Sequence, residues 1–222
     1  MKLQKKDFIE IEFTGRVKGG EVFDSNIKED LEKINKDINP KPFVFGLGEE
    51  MFIKGVDKFL IGKEVGKKYE IELSPTDAFG NRDSKLVRLM PMKVFREQKI
   101  NPVAGAMFNF DGRIAKILTV SGGRIIVDFN NPIAGKVVIY NVKVLKKIED
   151  MNEKVKSLID FLFKKELKFE IKEKKLIIEA EKGMTKFIEL FKEKFQNTLD
   201  LELDVKEITE KKEDKKEAIL PQ

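Results

Sequence analysis

The residues with a chemical part to play in this chain are aromatic. Between positions 42 and 83, PFVFGLGEEMFIKGVDKFLIGKEVGKKYEIELSPTDAFGNRD, phenylalanine recurs at 43, 45, 52, 59 and 79. No nucleophile, general base or metal-ligand set accompanies these rings. The whole chain has no His and no Cys. That excludes disulfides, thiol catalysis and Cys-based metal sites, and removes the commonest general base. Residues of this kind build an apolar, aromatic cleft rather than a polar catalytic site, and they imply no cofactor and no metal.

The spacing shows which elements must hold the rings. Phe43 and Phe45 alternate into a strand that Gly46 and Gly48 break. Met51, Phe52, Ile53, Val56, Phe59 and Leu60 follow at helical spacing, closed by Gly62. Gly66 turns the chain back, and Tyr69, Ile71 and Leu73 alternate as a second strand before the turn-rich SPTDAFG. The pattern predicts a short helix laid across a sheet. Upstream, DFIEIEF at residues 7–13 sets Ile9, Ile11 and Phe13 on one side and Glu10 and Glu12 on the other, a half-buried strand. Gly19-Gly20 is a hairpin turn, with Val22-Phe23 returning. Residues 25–41 form a polar excursion with Ile27, Leu31, Ile34 and Ile38 at helix-like intervals.

These segments, in this order, resemble the FKBP-type peptidyl-prolyl isomerases. The resemblance is carried by FVFGLG, FIKGVDKFLIG and SPTDAFG, by FTGRVKGGEVFDS at residues 13–25, and by the closing VVIYNVKVLKKI at residues 137–148. It implies an α+β fold: an FKBP-like antiparallel half-barrel sheet wrapped on a short helix. Carried over motif by motif, the walls of a proline pocket are Phe13, Phe23, Phe43, Phe52, Ile53, Val56, Phe79 and Tyr140. The Ile53 N–H holds a substrate carbonyl, and Asp24 is the one charged group near the pocket. The family commonly has Tyr where this chain has Phe79, and Trp where it has Val56. Any single phenylalanine here reads more simply as core, and Asp24 as a turn or cap residue. The set is more specific than its members, because core packing does not require the flanking FDS and AFG motifs.

Such a cleft suits rotation about an X–Pro bond. The barrier is about 18–20 kcal/mol because amide resonance must be broken. No bond is made or cut, so neither acid nor base is needed. A site that prefers the twisted amide lowers the barrier. The twisted form has less charge separation, so an apolar, water-excluding pocket favours it, and a fixed donor on a neighbouring carbonyl adds orientation.

About fifty residues separate Gly80 from the closing strand, where the family has a short flap. Leu86–Met90, Ala106–Phe110, Arg113–Val120 and Arg124–Phe129 read as strands, with Asp111-Gly112 and Ser121-Gly122-Gly123 as hairpin turns. This predicts a small all-β module in the flap, which in position and size resembles the chaperone insert of SlyD-like isomerases. Its candidate chain-binding residues are Leu86, Leu89, Met90, Met92, Val94, Phe95, Ile100, Met107 and Ile133. After residue 149 the pattern α-β-β-α-β predicts a C-terminal α+β domain, and the resemblance implies that this is an addition like that of the archaeal long type. Asp150 and Glu153 look like a capping box, Met184 to Phe195 form one amphipathic helix, and Leu199 to Val205 a last strand. TEKKEDKKE at 209–217 reads as a disordered charged tail. The expected domains are therefore 1–83 with 133–149, 84–132, 150–208 and the tail 209–222.

Residues 84–132 carry 8 basic and 3 acidic side chains, whereas residues 150–222 carry 17 and 18. A solvated face accounts for the basic excess more simply than nucleic acid or a ribosome, which rest on charge alone. Charged residues make up 37% of the chain, mostly Lys and Glu. A thermophilic source fits this, and so does an ordinary charged protein. The opening MKLQKKDF has no apolar h-region, and no apolar run approaches the roughly 18 residues of a membrane span. The expectation is a cytoplasmic protein, off the membrane, acting on unfolded or nascent polypeptides and proline-containing peptides. It would be an isomerase with chaperone activity. The competing expectation is a peptide-binding holdase or assembly factor with a degenerate cleft, which Phe79 and Val56 favour.

Overall fold

A computed structural model of the 222-residue chain describes residues 1–34, 39–110 and 112–208. Ile38, Asp111 and the charged stretch 209–217 lie outside the described residues. The first elements are β1 (Phe8–Val17), β2 (Val22–Ser25), α1 (Lys28–Ile34), β3 (Phe43–Gly46), α2 (Lys54–Leu60) and β4 (Lys68–Leu73). Then come β5 (Val87–Pro91), α3 (Met92–Glu97), β6 (Met107–Phe110), β7 (Arg113–Ser121), β8 (Arg124–Asp128) and β9 (Val138–Ile148). The chain continues through α4 (Met151–Phe163), β10 (Phe169–Lys172), β11 (Lys175–Glu181), α5 (Lys182–Glu189), α6 (Lys192–Leu199) and β12 (Glu202–Ile208). Two compact units divide these residues. One holds 1–3, 11–43 and 52–145, the other 4–10, 44–51 and the chain from 146 onward.

Five strands form the first sheet, in the order β2-β1-β9-β4, with β3 also pairing β1. The antiparallel β4–β9 register runs from Lys68↔Lys143 to Leu73↔Val138 and sets Ile71 opposite Tyr140. Alternation then decides the faces. Val138, Tyr140, Val142 and Val144 are buried, while Asn141 is exposed. On β1, a bulge after Gly15 shifts the pairing from Gly15↔Asp24 to Arg16↔Val22.

The second sheet, β5-β8-β7-β6, is the insert. Its inner face is the alternate set Ile125 and Val127 of β8, Ala115 and Ile117 of β7, and Phe110 of β6, all buried. The four expected strands are present, but the module is not purely β. The short helix α3 follows β5 directly and drives Phe95 into this face, where its ring meets Phe110 edge-on at 5.3 Å. Pro91 supplies the extended residue at the helix entry, with φ −72°. At the root, the Arg82 guanidinium donates to Asp128 at 2.6 Å, and the Asn130 side chain bridges the Asp83 N–H and C=O, both at 2.9 Å.

The third sheet has the order β10-β11-β12. β10 and β11 are antiparallel, and β11 and β12 parallel from Lys175↔Glu202 to Glu181↔Ile208. A parallel pair needs a crossover, which α5 and α6 supply. This is where the sequence expectation is corrected. The single helix expected from Met184 to Phe195 is broken at Leu190–Phe191 into α5 and α6, and Leu199 closes α6 rather than opening a strand. Asp200, left-handed at φ 57°, ends the helix and lets the strand begin at Glu202. The N-cap of α4 is as expected: the Asp150 carboxylate accepts the Glu153 N–H at 2.8 Å.

Within the same compact unit, the turn after β3 is tied to α6. The buried Glu49 carboxylate accepts from the Thr198 hydroxyl at 2.6 Å and from the Lys194 ammonium at 2.9 Å. Lys194 also donates to the Glu49 carbonyl at 3.0 Å. Burial alone would raise the Glu49 pKa; the Thr198 and Lys194 hydrogen bonds outweigh it and hold the carboxyl below its ordinary value.

Candidate active site

Strands and loops of the first sheet bring six rings together. Phe13 comes from β1, Phe23 from β2, Phe43 from β3, Phe52 from the entry of α2, Phe79 from the loop after β4, and Tyr140 from β9. Phe52 lies 4.8 Å from Phe43 and 4.9 Å from Phe13, centroid to centroid. Tyr140 meets Phe52 edge-on at 5.7 Å and Phe23 at 5.9 Å, and Phe23 meets Phe79 at 5.4 Å. These are the tilted and edge-to-face spacings in which aromatic pairs attract. Tyr140 is fully buried and central, and Phe13 is nearly so. Phe23, Phe43, Phe52 and Phe79 are half-buried. Ile53, half-buried, is the extended residue before α2, while Val56 is wholly buried within that helix.

Two glycines that sequence reasoning did not single out make this packing possible. A Cβ at Gly15 would lie 2.9 Å from Cε1 and Cζ of Tyr140 and 3.1 Å from Phe23 Cζ. A Cβ at Gly55 would clash with Leu73 Cδ2 and sit 2.9 Å from the Asp77 carbonyl oxygen, so α2 closes onto β4 and the Phe79 loop only with glycine there. For Gly15 the available signal was a glycine in the apolar row of a strand.

The electrostatics of the cluster rest on two groups. Asp24 faces Gly15 in the register, and burial raises its carboxyl pKa, partly offset by the Ser25 N–H. Burial, and then the Asp24 charge, push the Tyr140 phenol well above its ordinary value, so it keeps its proton. Among the described residues, the Tyr140 hydroxyl is the buried side-chain oxygen without a hydrogen-bond partner. A hollow of about 600 Å³ lies across the other side chains of the same strands, lined by Glu12, Arg16, Glu70 and Lys143 among others. Its charges pair with one another, Arg16 with Glu70 at 3.4 Å and Lys143 with Glu12 at 3.6 Å.

In the insert, Leu89 is 60% and Met107 45% exposed. Phe95 is not available: it is fully buried in the module's own core, because α3 turns it inward. Met90, Met92, Val94 and Ile100 are half-buried against that core, and Leu86 and Ile133 are half-buried. The outward face has an apolar residue that sequence reasoning passed over, Ile114, 60% exposed because its neighbour Ala115 points inward. Ile126, set opposite Leu89, lies on the same face.

A family model described as FKBP-type peptidyl-prolyl cis-trans isomerase matches residues 1–109, and one described as FKBP26, IF domain, matches residues 88–133. The short-type peptidyl-prolyl cis-trans isomerase of Methanocaldococcus jannaschii is 30% identical over 146 residues, covering 64% of this chain and 92% of that protein. The FKBP-type 16 kDa isomerase of Escherichia coli K12 is 34% identical over 113 residues, 49% of this chain and 75% of that protein. The SlyD isomerase of Helicobacter pylori is 28% identical over 149 residues, 65% and 75% respectively. A crystal structure of the three FKBP domains of wheat FKBP73 aligns with a TM-score of 0.37 at 16% identity, over 68% of this chain and only 42% of that one. The chain belongs to the FKBP-type peptidyl-prolyl cis-trans isomerases, an enzyme family, and within it is SlyD-like.

Proposed function

We propose that this protein accelerates cis/trans isomerisation of X–Pro bonds in unfolded or nascent chains, with the aromatic cluster as its site and the insert as a chain-holding module. The observation that carries the reading is one connected cluster of five phenylalanine rings and one buried tyrosine, in which Phe13, Phe23 and Phe52 pack directly on Tyr140 and Phe43 and Phe79 pack on those rings. A proline ring fits among such rings, and the amide beside it is then held away from water, which favours the twisted form. Phe13, Phe23, Phe43, Phe52, Phe79 and Tyr140 form the walls, with Ile53 and Val56 from the α2 segment. The Ile53 N–H orients a substrate carbonyl, and Asp24 is the charge at the rim.

The insert is the second half of the proposal. β5 and β6 are the edges of its sheet, and Leu89, Met107 and Ile114 are exposed on it. Edge strands beside apolar side chains take extended peptides by strand addition. The functional division is 1–83 with 133–149 for catalysis, 84–132 for chain holding and 150–208 for a C-terminal domain of the archaeal long type. The setting is the cytoplasm, where nascent chains are the partners. No described helix is long and apolar enough to cross a membrane.

The rate of cis/trans exchange of a short X–Pro peptide with the whole protein tests the proposal. Acceleration supports it. Suppression of aggregation with no acceleration favours the alternative, a holdase with a degenerate cleft.

A further inference from the structure

The Tyr140 hydroxyl has no role in holding the cluster together. Its ring is fixed, fully buried and seated against the bare backbone of Gly15. Yet its oxygen is buried with no hydrogen-bond partner among the described residues. The rings packed on it, Phe13, Phe23 and Phe52, carry no oxygen or nitrogen to accept a hydrogen bond. A buried hydroxyl left unpaired destabilises a protein, whereas a phenyl ring in the same place would not. The charged group that acts on it is Asp24, whose carboxylate accepts the Ser25 N–H.

From this we infer that Tyr140 is a catalytic residue whose hydroxyl donates a hydrogen bond to a backbone carbonyl of the bound peptide, next to the proline ring. This rests on the isomerase reading above. Two of the rings packed on Tyr140, Phe23 and Phe52, are half-buried, whereas Tyr140 is fully buried. A proline ring entering between them brings its flanking carbonyls to the hydroxyl. The phenol keeps its proton, so the partner it selects is an acceptor, and the acceptors of a peptide in an apolar cleft are its carbonyls. The donor absent at Phe79 is thus supplied by β9.

Tyr140→Phe tests the assignment, because it removes the oxygen and keeps the ring. The expected result is a fall of about five- to tenfold in kcat/KM for short X–Pro peptides, with the urea midpoint unchanged or higher. A second measurement uses the tyrosine content. The chain has 2 Tyr and no Trp, and the Tyr69 hydroxyl is already bonded to the Glu64 backbone. In a Tyr69→Phe background, a saturating X–Pro peptide should shift the remaining tyrosine absorbance to the red as the hydroxyl finds an acceptor. Full activity in Tyr140→Phe, or loss of activity with an equal loss of stability, overturns the assignment, as does an unshifted spectrum at saturation. A wild-type protein that does not accelerate isomerisation at all overturns the isomerase reading itself.

Discussion

Gly15 and Tyr140 are in such close contact that a single methyl group would not fit between them: a Cβ on Gly15 would stand 2.9 Å from two atoms of the tyrosine ring. Gly15→Ala should therefore push Tyr140 and Phe23 out of place. Overpacking of this kind costs about 1–3 kcal/mol, so the urea midpoint should fall, and isomerase activity with it. Gly183→Ala is the control. It sits in α5 with open space around it, and there alanine should stabilise by up to about 1 kcal/mol and leave activity alone.

Asp24 should behave in the opposite sense to an ordinary structural carboxylate. Its folded-state pKa is raised by burial, so the stability it contributes is fully present below the unfolded pKa and is lost as pH rises through the folded value. Asp24→Asn should then be more stable than the parent at pH 7, with the advantage disappearing in acid. Its effect on activity should be smaller than that of losing a ring. Urea titrations at two pH values check the sign.

Glu49 gives the converse case. Its pKa is lowered in the fold, because the Thr198 and Lys194 hydrogen bonds outweigh the opposing effect of burial. Its contribution is present above the unfolded pKa and is lost as pH falls through the folded value. Glu49→Gln leaves Lys194 short of its counter-charge and should cost about 1–3 kcal/mol at neutral pH. The difference from wild type should shrink at acid pH, again by urea titration.

The insert should divide two activities. Deleting residues 87–131 and bridging with a short turn removes the edges β5 and β6 and the apolar face of Leu89, Met107 and Ile114. Isomerisation of short peptides should persist. Refolding of a protein limited by proline isomerisation should slow strongly, because a chain held at the insert has a high effective concentration at the cluster, and suppression of aggregation should be abolished. Equal loss in both assays would leave the insert as a structural flap.

How far the sequence could be read depended on local physics. The five-stranded sheet follows from period-2 alternation and turn glycines, and the six rings from flanking motifs that specify more than burial does. Helix α3 was hidden because six residues directly after a strand carry no periodicity long enough to see, so Phe95 read as surface when it is core. The break between α5 and α6 was hidden because Met184, Phe187, Ile188, Phe191 and Phe195 keep apolar spacing straight through it. Gly15 and Gly55 were not singled out because a close approach between elements distant in sequence leaves little mark on the local pattern.

The most direct test of the central claim is the exchange rate of an X–Pro peptide with Phe23→Ala. Phe23 links Tyr140 to Phe79, at 5.9 and 5.4 Å, and is half-buried, so its loss should open the cluster without unfolding the sheet. The account predicts that the folded variant loses at least about tenfold of the wild-type rate enhancement, equivalent to about 1.4 kcal/mol of transition-state stabilisation. A folded Phe23→Ala protein with undiminished activity would contradict it and place catalysis elsewhere in the chain.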